Sequence, residues 1–251
     1  MAPDTPSITE AEGFTTLELV ATLTAVAVLA ALLFPVFGMM RRRSEEVRCM
    51  SNLKGVGNSL FAYVADHRGK LLPRYAGDVA ASEPKGWPYR LISMGYVTDP
   101  RILFCPSYFP RNVEEAHYKP TNSNASQTYG MRLWVVPGQK YVKENQEAHK
   151  PLSAIREPSD FFLVADSYWV AENWRSQGYG ITPSKAKSEQ AVHLRHGGKA
   201  NALFADGRVE AKPGDYFRDL SRIDRQAIYA EAPDRTFTII EGDAALPAPV
   251  P

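Results

Sequence analysis

From Phe14 to Met40 the chain carries one charged residue, Glu18. About 20 consecutive apolar residues of α-helix cross the hydrocarbon of a bilayer, so this run is long enough for one span, with Arg41, Arg42 and Arg43 following at the interface. A buried core helix is usually shorter and polar along one face. A cleaved secretory signal has a basic start and an apolar stretch of only ~7–15 residues. Here the first thirteen residues hold Asp4, Glu10 and Glu12 and neither Lys nor Arg. The run reads as a membrane anchor. Glu18 then needs an explanation, because a carboxylate in hydrocarbon costs several kcal/mol unless it finds a partner.

The stretch Gly13-Phe14-Thr15-Thr16-Leu17-Glu18-Leu19 resembles the processing motif of type IV prepilins and type II secretion pseudopilins. The resemblance implies that a prepilin peptidase cuts after Gly13 and that the new N-terminus, Phe14, is methylated. Glu18 is fifth in the mature chain, and Pro35, as the twenty-second, stands where many type IV pilins also have a proline. An ammonium on Phe14 inside a low-dielectric bundle of helices favours a carboxylate partner. Glu18 is accordingly expected to pair with the N-terminus of an adjoining subunit and to set the register of assembly. Thr16 departs from the family's bulky aliphatic residue, and the leader is acidic where the family's is basic. The arginines after the run would by themselves place the C-terminal side in the cytoplasm; the motif implies the opposite orientation.

Past the anchor, Val47, Met50, Leu53, Val56, Leu60, Phe61 and Val64 recur at spacings of three and four, and Glu45, Glu46, Arg48, Asn52 and Lys54 occupy the other face. That pattern predicts an amphipathic helix, stopped at Asp66-His67-Arg68-Gly69. One helix of about fifty residues, kinked near Pro35, follows from the two halves together. The chain thus divides into a leader peptide at 1–13, a transmembrane helix at 14–40 and an amphipathic stalk helix at 41–69. A globular α+β head at 70–241 follows, including a β-meander at 192–212, with a flexible tail at 242–251 whose prolines cannot join a ladder. The expected class is α+β, a long transmembrane-plus-stalk helix packed on a mainly antiparallel sheet; the resemblance makes this pilin-like. Twenty-nine basic against twenty-eight acidic side chains leave no electrostatic footprint for nucleic acid.

Within the head, residues 87–95 read as a short helix entered through Pro88 and closed by Gly95. Arg101–Pro106 is strand-like, and 128–136 and 161–166 are better strands, rich in aromatic and branched residues. Residues 140–158 form a polar loop, 215–231 carry a helical spacing, and 236–240 make a last strand.

His196, nine intervening residues and Asp206-Gly207 match the pattern of the H-X9-DG domain found at the C-terminus of many bacterial prepilin-like proteins. Arg48-Cys49, Asn52-Leu53-Lys54 and Cys105-Pro106-Ser107 resemble recurring head motifs of the same group. Gly197-Gly198 and Asp206-Gly207 are strong turn signals. His196 and Asp206 therefore fall near opposite ends of one strand, roughly 20 Å apart, and cannot share a metal. Turn-capping is the expected role of His196, Asp206 and Gly207. Asp166, at a strand end, is the remaining candidate partner for either one, but no dense run of oxygen ligands marks a calcium site, so no metal is assigned. His193 and His196 as a pair lack the third group that a ligand set needs and read as polar edge residues. No G-x-S-x-G, H-E-x-x-H, phosphate loop or C-x-x-C occurs, so neither catalysis nor a cofactor is expected.

Cys49 and Cys105 leave two readings open. In an oxidising compartment a disulfide across a loop of about fifty-five residues would stabilise by ~4 kcal/mol; otherwise both are buried, unlinked thiols. For the whole chain the expectation is a structural subunit of a type IV pilus or type II secretion pseudopilus. The resemblance implies prepilin peptidase, other pilin or pseudopilin subunits and membrane lipid as partners. It implies a single-pass place in the bacterial inner membrane, the head periplasmic, and a periplasmic or extracellular filament after assembly. The alternatives are an anchored surface protein with a ligand- or carbohydrate-binding head and, less favoured, an anchored hydrolase.

Overall fold

The computed structural model describes residues 15–75, 86–107, 128–133, 150–171, 174–182, 190–218 and 239–241. Gly13 and Phe14, the tail 242–251 and most of the helix expected over 215–231 lie outside them. Two compact units are resolved, Met1–Ser44 and Glu45–Pro251. A long apolar N-terminal helix combined with mixed sheets makes the fold α+β.

Helix α1 runs from Thr16 to Asp66 and is helical through position 35. Its start is fixed by the sequence Thr15-Thr16-Leu17-Glu18. The Glu18 carboxylate accepts from the Thr15 N–H (2.9 Å) and hydroxyl (2.8 Å), and the Thr15 hydroxyl oxygen accepts from the Glu18 N–H (3.3 Å). This reciprocal pair is a capping box. In the first unit the described side chains up to Ser44 are exposed, Leu17 at 79% and Phe34 at 83%. The threonines of the run satisfy themselves: the Thr22 and Thr24 hydroxyls donate to the carbonyls of Leu19 (2.9 Å) and Val20 (2.7 Å). The helix is long and apolar enough to cross a membrane.

In the second unit the same helix presents Leu53, Val56, Leu60 and Tyr63 to the core, each fully buried. Burial of each aliphatic side chain stabilises by ~1.5–3 kcal/mol. Gly57 lies tight against the sheet, since a Cβ there would lie 2.8 Å from the Leu203 Cδ1. The Gly69 N–H closes the helix on the Val64 carbonyl at 2.9 Å.

Beyond it come β1 (Lys70–Leu71), α2 (Trp87–Ser93), β2 (Gly130–Arg132), β3 (Lys150–Pro151), β4 (Phe162–Ala165) and β5 (Ser167–Ala171). Then follow β6 (Trp174–Ser176), β7 (Gly180–Ile181), β8 (Gln190–Leu194), β9 (Lys199–Phe204), β10 (Val209–Pro213) and β11 (Ile239–Glu241). A main sheet has the order β10-β9-β4-β2-β7 and a second sheet β11-β8-β5-β6; β1 and β3 pair separately. The pairings are antiparallel except β2 with β7 and β11 with β8. Strand alternation divides the interior. Leu203 of β9 joins the cluster built on α1, whereas Ala200, Ala202 and Phe204 join a second cluster with Val192 and Leu194 of β8.

Three expectations are corrected here. The segment read as strand-like from Arg101 to Pro106 begins as a 3-10 turn, Pro100–Leu103, because the Asp99 carboxylate caps the Arg101 N–H (3.0 Å) and proline starts the turn. The polar loop at 140–158 includes β3 and a 3-10 turn at Leu152–Ala154. Residues 192–212 are not one meander. β9 and β10 form a hairpin, but β8 belongs to the second sheet, since β8 pairs with β5 while β9 pairs with β4.

Candidate functional site

Strands β4 and β5 lie in different sheets and are separated by a single residue, Asp166. Strands β8 and β9 cross between the same sheets through the turn 195–198. Because β4 pairs with β9 and β5 with β8, the two crossings are forced side by side. Asp166 and His196 meet there, the Asp166 Oδ2 lying 3.2 Å from the His196 Nε2. The turn holds His196 through two backbone bonds, its N–H to the Lys199 carbonyl (3.0 Å) and the Lys199 N–H to its own (3.2 Å).

Two sulfurs complete the cluster. Cys49 is on the buried face of α1, with its Sγ 3.6 Å from the Asp166 Oδ1. Cys105 follows the 3-10 turn, and its Sγ is 3.4 Å from the His196 Nε2. Its backbone is clamped: the Gln177 side chain accepts from the Cys105 N–H (3.3 Å) and donates to the Cys105 carbonyl (3.4 Å), while Asn52 donates to the Phe104 carbonyl (3.0 Å). One potential ligand atom from each of Cys49, Cys105, Asp166 and His196 lies within 4.8 Å of the other three. All four residues are buried.

A surrounding layer fixes them. The Asn201 N–H donates to the Asp166 Oδ2 at 2.8 Å. The fully buried Tyr129 hydroxyl lies 3.2 Å from both the carbonyl and the Sγ of Cys49. The Arg195 Nε is 3.7 Å from the Asp166 Oδ1, and its Nη2 donates to the Ser167 carbonyl. The Asn201 amide, also fully buried, stands beside the Cys49 sulfur.

The charges follow from this packing. Burial pushes the Asp166 carboxyl up, but Arg195 and His196 outweigh it and hold it down at about 2. Burial pushes the His196 imidazole down, yet the Asp166 carboxylate beside it raises it to about 10. Burial drives the Cys49 thiol well up. At Cys105 burial acts the same way but is overcome by the Cys49 and His196 contacts, and that thiol is lowered.

No family model, curated protein or solved structure matches this chain.

Cys105, His196 and Asp166 are the residue types of a thiol-nucleophile triad. Closure argues against that use: Asp166 and Cys105 are 0% and 1% exposed, so a substrate has no approach to the sulfur. Two thiols, an imidazole and a carboxylate converging on one point instead form a donor set for a tetrahedral metal.

The structure places the other sequence candidates as follows. Of the two readings left open for Cys49 and Cys105, the structure has the buried, unlinked thiols, with their sulfurs sharing the cluster. The same four residues could hold a metal ion, a candidate set that the sequence did not assign. His196 is a turn residue and also a cluster member, which the turn reading alone missed. His193 is not an edge residue; β8 is an interior strand between β11 and β5, and His193 is buried against Tyr168. Asp206 and Gly207 stand at the far end of β9, where the Asp206 carboxylate accepts from the Arg208 N–H at 2.9 Å and Gly207 has φ +84°. Lys54 donates to the Gly207 carbonyl at 2.8 Å, tying that turn to α1. The sequence segments around Asn52, Leu53 and Lys54 thus position the cysteine turn, the core and the hairpin in succession.

Proposed function

We infer that the chain is a membrane-anchored, prepilin-like structural subunit, assembled through its N-terminal helix. The observation that carries this reading is the exposed apolar part of α1. Side chains such as Leu17, Val20, Leu23, Leu29, Phe34 and Phe37 are each more than half exposed, a surface that water does not tolerate and that lipid or neighbouring helices would cover.

The motif at Gly13–Glu18 supports processing after Gly13, with the head exported. In the uncut chain the Glu18 carboxylate is occupied by the cap on Thr15. A carboxylate can accept further bonds, so pairing with the Phe14 ammonium of a neighbouring subunit is compatible with the cap.

Intact-mass measurement of protein from native membranes tests the reading. A mature chain beginning at N-methylated Phe14 is expected; a chain beginning at Met1 or beyond Met40 overturns it. Glu18→Ala should remain membrane-inserted and lose incorporation into filaments, scored by crosslinking to neighbouring subunits.

A further inference from the structure

Four pieces of chain with no shared local motif deliver Cys49, Cys105, Asp166 and His196 to one closed point. We propose that this point binds a single structural Zn²⁺ through the two sulfurs, one Asp166 oxygen and the His196 Nε2. The proposal concerns the second unit only and stands whether or not the chain assembles as a filament.

The geometry suits a tetrahedral ion. Bonds of ~2.3 Å to sulfur and ~2.0–2.1 Å to nitrogen and oxygen give ligand–ligand edges of about 3.3–3.8 Å. With Oδ2 as the Asp166 ligand, three edges, 3.9 Å from Cys49 to Asp166, 3.4 Å from Cys105 to His196 and 3.2 Å from His196 to Asp166, lie close to that range, and one ligand atom from each residue lies within 4.8 Å of the others. Two soft sulfurs argue against Ca²⁺ and Mg²⁺, which take oxygen. Four protein ligands and burial leave no open coordination position, so the site is structural rather than catalytic.

The surroundings suit the bound state. The Asn201 N–H and Arg195 orient the carboxylate, Tyr129 offers its hydroxyl to the Cys49 sulfur, and the buried Asn201 amide stands beside that sulfur. Such outer groups orient ligands at metal sites. On binding, both cysteines ligate as thiolates and His196 as neutral imidazole, so any proton still held by a sulfur and the proton of the His196 imidazolium leave to solvent. Arg195 then balances charge: two thiolates and a carboxylate oppose Zn²⁺ and one guanidinium. The ion would tie helix α1, the 3-10 turn and both inter-sheet crossings together at one point.

The test uses the full chain, purified in detergent after expression in zinc-supplemented medium. One zinc per chain is expected by inductively coupled plasma mass spectrometry, retained through gel filtration, with at least a tenfold loss of occupancy in Cys105→Ser and in His196→Gln. Because substitutions at buried positions risk unfolding, the unmodified chain is also stripped and reconstituted with Co²⁺. Intense visible bands of tetrahedral cobalt with thiolate charge transfer in the near ultraviolet are expected. Substoichiometric metal, a Cys49–Cys105 disulfide in non-reducing peptide maps, or a cobalt spectrum without thiolate charge transfer overturns the proposal.

Discussion

The two units of this chain depart from ordinary burial in opposite directions. Between Thr16 and Ser44, leucines, valines and phenylalanines stand outside. At the centre of the other unit, a carboxylate, an imidazole, a guanidinium and two sulfurs stand inside. Neither arrangement is stable as an isolated object in water. Exposed apolar helix needs a medium or a partner as apolar as itself, and buried charge needs compensation close at hand. Among the described residues, the first unit's apolar side chains have no such cover. The second unit has internal compensation, because Asp166 faces Arg195 and His196 at 3.7 and 3.2 Å. The lesson is that the first unit's apolar surface calls for cover from outside, whereas the second unit's buried charges are compensated from within.

The largest effect should come from breaking the first half of that contrast. Deletion of residues 14–40 should transfer the protein wholly from the membrane to the soluble fraction on flotation. The denaturation midpoint of the head should be unchanged, since Leu53, Val56, Leu60 and their core partners remain. A head that still floats with membranes would show a second membrane-binding surface and end the comparison.

Next comes the carboxylate on which the interior depends. Asp166→Asn keeps the side chain's size but leaves Arg195 and His196 facing no negative charge. Removing one partner of a buried pair typically costs about 3–5 kcal/mol, and a loss of that size is expected in urea titrations of the metal-stripped chain. A change below about 1 kcal/mol would mean that the cluster is neutral or hydrated, by the ordinary magnitude of a single hydrogen bond.

How much of this was legible in the sequence follows from the distance over which each feature is encoded. The anchor run, the buried stripe of α1, the glycine stop and the Asp206-Gly207 hairpin are all set by neighbours within a few residues, and periodicity or turn chemistry reads them directly. The turn before Cys105 was legible too: Asp99-Pro100 is a cap followed by a proline start, and the apolar Ile102-Leu103-Phe104 drew the reading toward a strand instead. So was the capping box Thr15-Thr16-Leu17-Glu18. The cluster of Cys49, Cys105, Asp166 and His196 was not. Cys49 and Asp166 are 117 residues apart, and Cys105 and His196 are 91 apart. What joins them is the crossing of two sheets on either side of Asp166, and no local pattern encodes that crossing. The strand-length argument separated His196 from Asp206, and it left Asp166 as the open partner. It had no means of knowing that β8 and β9 part company and turn His196 inward.

A smaller effect sharpens the interior half through pH. Burial, reinforced by Arg195 and His196 and opposed by Asp166, lowers the His193 imidazole from 6.5 to about 3. Its neutral form is the folded one, so its contribution to stability is complete above pH 6.5 and is lost as pH falls toward 3. The unfolded chain binds the extra proton, giving a slope of at most ~1.4 kcal/mol per pH unit. Between pH 6.5 and about 4.5, where the Asp166 carboxylate stays ionised in both states, metal-stripped protein should lose stability on acidification. His193→Phe should flatten that limb and leave stability near neutrality much less changed. An unaltered limb in the variant would assign the acid sensitivity to some other group.

The smallest expected effect is at Tyr129, where one atom distinguishes support of the cluster from support of the core. Its ring is fully buried among apolar neighbours, and its hydroxyl sits 3.2 Å from the Cys49 sulfur and carbonyl. Tyr129→Phe keeps the ring and removes the hydroxyl. Metal-stripped protein should lose about 1 kcal/mol, the net worth of one hydrogen bond. Zinc affinity, measured by competition with a chromophoric chelator, should fall by about tenfold, the lower end of what outer groups at metal sites contribute. The two readouts separate the roles. Loss of stability with unchanged affinity would make the hydroxyl a backbone anchor on the Cys49 carbonyl. Loss of affinity would assign its hydrogen bond to the sulfur, where a donor stabilises the thiolate that a metal requires.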